Sequence, residues 1–281
     1  MALTELRNVR YEVADGIATI TLARPERLNA IDHGPGSMQR EVVECMQEAE
    51  RDPAARCILV TGEGRAFSSG GAMAGAGPGD SPEAWLEFLA VDNADNANIF
   101  ELDLPVIGAI NGLCYGAALI MVAHFDLLVA REDARFGLIE TRFGSSGVEM
   151  LPFLVGPQWA KFLALSGELI SARKAKEIGL VLEVFGEDEF DAKARDLARR
   201  VAAMPAQAVT LNRKVINGML KIVGWSAQAH YAPIVNAMTN LISRHAAMGD
   251  GRRPLELLES EGWEAFKDAR DAPFRQPWLS S

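Results

Sequence analysis

The chain is 281 residues long, with 49% hydrophobic and 23% charged residues, so it can form one large domain or a domain with a helical appendage. Its formal net charge of −10 argues against a general nucleic-acid-binding protein. The one long apolar stretch, 106–130, is interrupted by Asn111, His124 and Asp126 and does not have the character of a membrane span.

The cysteines and histidines argue against a disulfide-bonded or a metal-binding protein. The three cysteines have no spaced framework and lie in apolar contexts, as is typical of buried thiols in a reducing compartment: Cys45, Cys57 and Cys114. The four histidines show no metal-ligand spacing, and residues 1–13 contain no basic start followed by an apolar block. We therefore expect a cytoplasmic protein without a secretory signal, a metal site or a redox cofactor.

The first half of the chain alternates short apolar runs with turns and helices. Residues 9–22 are two alternating runs around Ala14-Asp15-Gly16, which predicts a β-hairpin. Apolar runs bounded by glycine or proline predict buried strands, and amphipathic stretches predict helices. In chain order, the sequence predicts a helix at 36–51, a strand at 57–61, a loop at 74–82, a helix at 82–101, a strand at 106–110, a helix at about 116–124 and a strand at 125–130.

Beyond about residue 157 the pattern becomes helical. The predicted helices cover 191–203, 206–222 and 226–247, and they are followed by a tail at 254–281 that is rich in aromatic residues. Apolar side chains on such a helical end predict a partner surface, most simply another copy of the chain. We therefore divide the chain into a core of residues 1–205 and a helical oligomerisation region of residues 206–281.

Two glycine-rich turns each follow a predicted buried strand: GEGRAFSSGG at 62–71 and INGLCYGAA at 110–118. Small residues at a strand-to-helix turn allow a bound group to approach the main chain closely. Two such turns can aim two backbone N–H groups at one developing negative charge, the arrangement of an oxyanion hole. Purely structural turns are the alternative interpretation, and the turns alone do not separate the two.

A series of motifs along nearly the whole chain resembles the crotonase (enoyl-CoA hydratase/isomerase) superfamily. Each motif is loose by itself, whereas their order and spacing together are specific. They are RPERLNA at 24–30, GRAFSSGG at 64–71, NG and GAA within 111–118, DLLVA at 126–130, FGLIE at 136–140, LSG at 165–167, ARKA at 172–175, GLV at 179–181, and EGWEAFK at 261–267 with Arg270 and Phe274 beyond it.

The resemblance implies an α/β fold with a crotonase-like ββα spiral core and a helical C-terminal trimerisation region, assembled as a homotrimer or a hexamer. It also implies an acyl-CoA thioester substrate whose carbonyl oxygen lies between two backbone amides, which map to Gly71 and Ala117. Coenzyme A would be part of the substrate, and no separate cofactor would be needed. Neither nucleic acid nor a membrane is expected as a partner.

One departure from the family pattern bears on the reaction. Family hydratases carry two glutamates that flank one water molecule; the second maps to Glu140, and the first maps to the position of Ile120. Because isoleucine transfers no proton, the resemblance favours double-bond isomerisation by a single carboxylate, Glu140, over hydration. In addition, Ala72 replaces an aspartate, and the loop after Gly144 is shorter than is usual.

Four other side chains have competing interpretations. The shortened loop can bring Glu149 into the pocket as a substitute second carboxylate, and a solvated or structural glutamate is the alternative that we favour. His124 lies one helical turn beyond Ile120, and a hydrogen-bonded core histidine is preferred for it. Asp126 is expected to brace the start of its strand. Cys114 is expected to pack, because no base or positive charge is evident near it.

The resemblance also indicates residues that bind the acyl-CoA. Those around the first turn and the absent carboxylate are Arg27, Leu28, Ser69, Ala72, Met73 and Ile120. Near the tail, Lys267 and Arg270 are candidates for contacts with CoA phosphates across a subunit boundary. No Gly-x-Ser-x-Gly elbow surrounds Ser68 or Ser69, so turn chemistry is preferred over a serine nucleophile.

Three classes of function remain open from the sequence. The leading one is an enzyme of acyl-CoA and fatty-acid metabolism that stabilises a thioester enolate, with isomerisation ranked above hydration. The second is hydrolysis or carbon–carbon cleavage of a CoA thioester or diketone, which would release the CoA thiol or a ring-opened acid. The third is a non-catalytic acyl-CoA-binding protein that has kept the pocket and lost turnover.

Overall fold

The computed structural model describes residues 6–72, 78, 81–144, 147–243 and 245–279. The strands are β1 (Val9–Ala14), β2 (Ile17–Leu22), β3 (Cys57–Gly62), β4 (Ala66–Ser68), β5 (Val106–Ile110), β6 (Leu113–Tyr115), β7 (Leu127–Arg131), β8 (Arg135–Gly137), β9 (Ile170–Ser171) and β10 (Glu183–Phe185). The helices are α1 (Met38–Arg51), α2 (Pro82–Glu101), α3 (Ala117–Val122), α4 (Leu151–Ser166), α5 (Ala172–Glu177), α6 (Glu187–Ala202), α7 (Ala206–Leu220), α8 (Ser226–Ser243), α9 (Pro254–Ser260) and α10 (Trp263–Asp271).

The strands form two sheets, and the chain passes repeatedly from one sheet to the other. The larger sheet has the order β1-β2-β3-β5-β7-β10, and the smaller one has the order β4-β6-β8-β9. The pairs β3 and β4, β5 and β6, and β7 and β8 each give one strand to each sheet, and a helical segment follows each pair. This is the ββα spiral that the family resemblance implied, and the α/β fold class is confirmed.

Local sequence signals placed most elements of the larger sheet correctly. The hairpin at 9–22 pairs Val9 with Leu22 in antiparallel register, and Asp15 and Gly16 form its turn with φ of 53° and 79°. The strand at 106–110 has the predicted bounds. The short strands of the smaller sheet were not predicted, because runs of two or three residues carry no measurable periodicity.

Several predicted helices have shifted ends, each with a local cause. Helix α1 begins at Met38 because the Ser37 hydroxyl caps it, accepting a hydrogen bond from the Arg40 N–H at 3.2 Å. Helix α6 begins earlier than predicted, at Glu187, with three acidic residues in its first turn that favour a helix N-terminus. Most of the predicted loop at 74–82 lies outside the described residues.

The core lies between the larger sheet and the helices packed on it. The predicted stripe of α1 is buried, as are all three cysteines, which are free thiols: Met38, Val42, Cys45, Met46, Ala49, Cys57 and Cys114. Burial raises the pKa of the Cys45 and Cys57 thiols to about 12 and about 11, so they remain protonated at neutral pH. Among the described residues no helix is long and apolar enough to cross a membrane.

Helix α7 is fastened to the core by one buried ion pair. The Arg213 Nε donates to both carboxylate oxygens of Asp126 at 2.8 and 2.9 Å, and its Nη2 donates to the Ile99 carbonyl at 3.1 Å. Asp126 in turn accepts a hydrogen bond from the Val106 N–H at 2.7 Å, at the start of β5. Asp126 is therefore a bracing residue, as expected, although it braces β5 and α7 together.

Candidate active site

The two glycine turns border one large cavity of about 1290 Å³. Further parts of its wall come from one face of α2, the 3-10 turn Ile139–Arg142, the loop before α4, and the C-terminal helices α8, α9 and α10. Among the predicted site residues, those that border the cavity are Arg27, Leu28, Ser69, Gly71, Ala72, Ala117, Ile120 and Glu140. Met73, the other residue predicted to bind substrate, lies outside the described residues.

The first turn is held by backbone hydrogen bonds on both sides of Gly71. The Ile31 N–H donates to the Gly70 carbonyl at 2.8 Å, and the Ala72 N–H donates to the Ile31 carbonyl at 2.7 Å. Between them, the Gly71 N–H donates to no described residue, and a Cβ built on Gly71 would meet no described heavy atom within 4 Å. The Gly71 amide therefore borders open space.

The second turn lies directly against the first. Gly70 has φ of +93°, and a Cβ built on it would lie 2.6 Å from the Tyr115 carbonyl oxygen and 3.5 Å from the Gly116 Cα. Ala117 is the first residue of α3, so its N–H has no hydrogen-bond acceptor within that helix. The first hydrogen bond of the helix is donated by the Ile120 N–H to the Gly116 carbonyl at 3.0 Å. The close contact between Gly70 and Gly116 thus places two backbone N–H groups at one wall of the cavity. They belong to Gly71 and Ala117, and neither forms part of a regular backbone hydrogen-bond series.

Glu140 lies across the second turn from these amides. A Cβ built on Gly116 would lie 2.5 Å from the Glu140 Oε2, so the carboxylate packs on the Gly116 Cα. The Oε2 atom is buried and has no hydrogen-bond partner among the described residues. Burial raises the pKa of Glu140 to about 7, and the negative charge of Asp92 adds to the rise. The side chain can accordingly both take and give a proton near neutral pH.

A second carboxylate, that of Glu149, borders the same cavity. Glu149 is 4% exposed, and its Oε1 accepts a hydrogen bond from the Asn236 Nδ2 of α8 at 3.4 Å. Burial raises the pKa of Glu149, with a further contribution from the charge of Asp92. This position is the one that the shortened loop was expected to allow for Glu149, the interpretation that we ranked below a solvated or structural role.

One face of α2 forms the remaining wall, and sequence analysis did not identify it as part of the site. Residues spaced by three or four positions border the cavity: Trp85, Phe88, Leu89, Asp92 and Asn93. Asp92 accepts a hydrogen bond from Gln39 Nε2 at 2.8 Å, and the His33 Nδ1 lies 3.4 Å from its Oδ1. The spacing on α2 was visible in the sequence, whereas its direction depends on packing against α1.

Basic side chains surround the cavity from two sides. Arg27 and Arg65 come from the first turn region, and Lys267, Arg270 and Arg275 come from the C-terminal segment of the same chain. The last three are engaged with neighbouring acids; Arg270, for example, donates to Asp271 at 2.7 Å. We call these five side chains the basic patch; three of them are paired with acids, and Arg27 and Arg65 form no ion pair with another described residue.

Other candidates have structural roles in the described residues. His124 is buried, its Nδ1 lies 2.9 Å from the Ile120 carbonyl, and burial lowers its pKa, as fits a neutral core histidine. The Ser68 hydroxyl accepts a hydrogen bond from the Gly70 N–H at 3.1 Å, which is turn chemistry. Burial also raises the pKa of the Cys114 thiol above its usual range. The described residues contain no cluster of three acidic, histidine or cysteine side chains arranged to hold a metal.

Comparison with known proteins identifies the family. Residues 12–276 match the family model for enoyl-CoA hydratase/isomerase, and the chain belongs to that family. A 1,2-epoxyphenylacetyl-CoA isomerase of Escherichia coli is 32% identical over 212 residues, which cover 73% of this chain and 80% of that protein. A (7aS)-7a-methyl-1,5-dioxo-2,3,5,6,7,7a-hexahydro-1H-indene-carboxyl-CoA hydrolase of Rhodococcus jostii is 30% identical over 206 residues, covering 73% of this chain and 78% of that protein.

Solved structures give the same family and the same fold. An enoyl-CoA hydratase/isomerase from Xanthobacter autotrophicus Py2 has a TM-score of 0.87 at 32% identity, over 97% of this chain and all of that one. An enoyl-CoA hydratase from Mycobacterium smegmatis has a TM-score of 0.84 at 26% identity, over 96% of each chain. The family names both hydration and isomerisation, so the particular reaction must be argued from the site.

Proposed function

We propose that the protein is an enoyl-CoA isomerase that moves the double bond of a 3-enoyl-CoA to the 2-position. Glu140 is the acid/base, and the N–H groups of Gly71 and Ala117 bind the thioester oxygen. The observation that carries the proposal is the packing of the Glu140 carboxylate on Gly116, in the second glycine turn. This arrangement supports a proton-transfer group beside a carbonyl that is bound by backbone amides.

In the proposed reaction, ionised Glu140 removes a proton from C2 of the acyl chain. The electron pair of that C–H bond forms a C1–C2 double bond, and the thioester oxygen becomes negative. Two preorganised N–H donors stabilise this enolate, each by about 3–4 kcal/mol in comparable sites. The enolate then takes the proton back from Glu140 at C4, and the double bond lies between C2 and C3. No metal or redox cofactor is needed for these steps.

For substrate binding we propose that the basic patch holds the phosphates of coenzyme A. Arg27 and Arg65 form no ion pair with another described residue, which leaves their guanidinium groups available for phosphate. Leu28 and Ser69 belong to the same turn, where the Ser69 N–H donates to the Leu28 carbonyl at 2.9 Å. The acyl chain then extends past Ala72 toward Ile120 and α2.

We also propose that the chain forms a homotrimer or a hexamer through residues 206–281. Helices α7 and α8 expose a row of apolar side chains, most of them more than half exposed: Leu211, Val215, Ile216, Met219, Tyr231, Ile234, Met238 and Ile242. An apolar surface of this extent is typical of an interface between subunits.

Hydrolysis of a CoA thioester or diketone is the second candidate function. The pairing of His33 with Asp92 at the cavity wall favours it, because an imidazole beside a carboxylate can deprotonate a water molecule. The Rhodococcus jostii relative is a hydrolase by name. Release of free CoA thiol distinguishes this reaction from isomerisation.

The test is mass spectrometry of the products formed from a mixed panel of 2-enoyl-CoA and 3-enoyl-CoA esters, combined with chromatography that separates double-bond isomers. Isomerisation predicts conversion of 3-enoyl-CoA to 2-enoyl-CoA without a change in mass. Free CoA as the main product would replace isomerisation with hydrolysis, and tight binding without any product would indicate a non-catalytic acyl-CoA-binding protein.

A further inference from the structure

Glu149 occupies a position that a purely structural glutamate would not need. It is 4% exposed, yet it forms no salt bridge within the described part of the chain. Its Oε1 accepts one weak hydrogen bond from Asn236, and its Oε2 faces Gly147, where a built Cβ would lie at 2.7 Å. Burying a carboxylate with so little compensation is unfavourable, and such unfavourable burial is common at functional sites.

The Glu149 carboxylate lies beside the tip of Ile120. The same Cβ built on Gly147 would lie 3.3 Å from the Ile120 Cδ1, so the carboxylate and the isoleucine methyl border one small space. Ile120 is the residue at which the family pattern has its first glutamate. A carboxylate is thus present next to that position, although it comes from the loop before α4 and not from α3.

We propose that Glu149 is a second proton-transfer residue and that the enzyme therefore also adds water to 2-enoyl-CoA. The inference rests on the proposed function, because it uses the same bound thioester and the same pair of amides. Glycine at 147 leaves free the space beside the Glu149 Oε2 and the Ile120 Cδ1, which any side chain at that position would occupy.

In the proposed hydration, Glu149 is the base and Glu140 is the acid. Ionised Glu149 takes one proton from water, and the water oxygen forms a bond to C3. The π electrons of the C2–C3 double bond move onto the thioester, whose oxygen becomes negative between the two amides. As the carbonyl forms again, C2 takes the proton of the Glu140 carboxylic acid. The product is a 3-hydroxyacyl-CoA, and exchange of one proton with solvent restores both side chains.

The surroundings of the two carboxylates fit these roles. Asn236 donates to Glu149, and a donor stabilises the ionised form that accepts a proton from water. The Glu140 Oε2 has no donor among the described residues, and the pKa of Glu140 is about 7, so its protonated form is well populated near neutral pH. The negative charge of Asp92 raises the pKa of both groups.

The test compares wild type, Glu149→Gln, Glu140→Gln and the control Glu12→Gln, which changes an exposed carboxylate of β1. Each protein is given crotonyl-CoA and trans-2-decenoyl-CoA in isotopically labelled water, and labelled 3-hydroxyacyl-CoA is measured by mass spectrometry. Isomerisation of a 3-enoyl-CoA is measured on the same preparations. We expect Glu149→Gln to lose about 100-fold or more of the hydration rate. The loss of hydration should be much larger than any change in the isomerisation rate.

The outcomes separate the inference from the proposed function. A much larger loss of hydration than of isomerisation in Glu149→Gln supports the inference, and the isomerisation that remains shows that the variant is folded. A wild type that does not hydrate either ester, or a Glu149→Gln variant that hydrates like wild type, overturns it. A wild type that hydrates through Glu149 but does not isomerise overturns the proposed isomerase and leaves the inference standing.

Discussion

The carboxylate of Glu140 rests on the Cα of Gly116, 2.5 Å from the place where a Cβ would stand. Gly116 has φ of +51° and ψ of −123°, a conformation that almost only glycine adopts, and it precedes the first residue of α3. One glycine therefore positions both the acid/base and the amide of Ala117.

This contact predicts a catalytic defect in Gly116→Ala. The new methyl group would displace the Glu140 carboxylate and strain the turn, at about 1–3 kcal/mol of stability. We expect kcat for 3-enoyl-CoA to fall at least about tenfold with a smaller change in KM, measured by steady-state kinetics. The control is Gly249→Ala, because a Cβ at that position meets nothing within 4 Å. Equal kcat in the two variants would contradict the prediction.

The raised pKa of Glu140 predicts the pH dependence of isomerisation. The reaction begins with ionised Glu140, so kcat/KM should rise with pH and level off above the pKa of about 7. The charge of Asp92 contributes to that pKa, so Asp92→Asn should shift the rising limb to lower pH. A pH–rate profile of the two proteins checks both statements. A flat profile between about pH 5.5 and 8.5, or a shift to higher pH in Asp92→Asn, would argue against Glu140 as the base.

The buried pair of Arg213 and Asp126 predicts a large effect on stability. Arg213→Met leaves the Asp126 carboxylate without its cation, and breaking such a pair costs about 3–5 kcal/mol. Lys214→Met is the matched control, because Lys214 and its partner Asp103 are both more than half exposed. Its effect should stay within about 1 kcal/mol. Urea unfolding of both variants tests the difference, and similar midpoints would show that the buried pair does not fasten α7.

The exposed apolar row on α7 predicts that one charge disrupts assembly. Val215 is 68% exposed in the isolated chain, and Val215→Glu would place a charge in the proposed subunit interface. Sedimentation velocity should show a trimer or hexamer for wild type and smaller species for the variant. Gln207→Glu, at the exposed start of the same helix, should assemble normally. A wild type that sediments as a monomer at micromolar concentration would remove the basis of this proposal.

The sequence predicted those features that depend on neighbours along the chain. The hairpin at 9–22 and the strand at 106–110 follow from alternation and glycine turns, and the family motifs locate Gly71, Ala117 and Glu140. Features set by packing between distant segments were harder to predict. Glu149 borders the cavity next to Asn236 of α8, its hydrogen-bond donor, which lies 87 positions away in the sequence.

The face of α2 that borders the cavity is a second feature that is set by packing between distant segments. The spacing of Trp85, Phe88 and Asp92 fits one side of a helix, but nothing nearby in the sequence shows what that side faces. Helix α2 packs against α8 and α1, and one contact with α1 is the Arg40 Nη1 donating to Asp95 at 2.8 Å. A polar side chain on a helix can face solvent or a cavity, and only the packed structure distinguishes the two.

The most direct test of the central claim compares Glu140→Gln with wild type on a 3-enoyl-CoA. The amide keeps the shape of the side chain and removes the base, so the rate of formation of 2-enoyl-CoA should fall by about 100-fold or more. Binding of a saturated acyl-CoA, measured by calorimetry, should change little, because Gly71 and Ala117 still hold the thioester. Equal isomerisation rates in the two proteins would contradict the account and show that Glu140 does not transfer the proton.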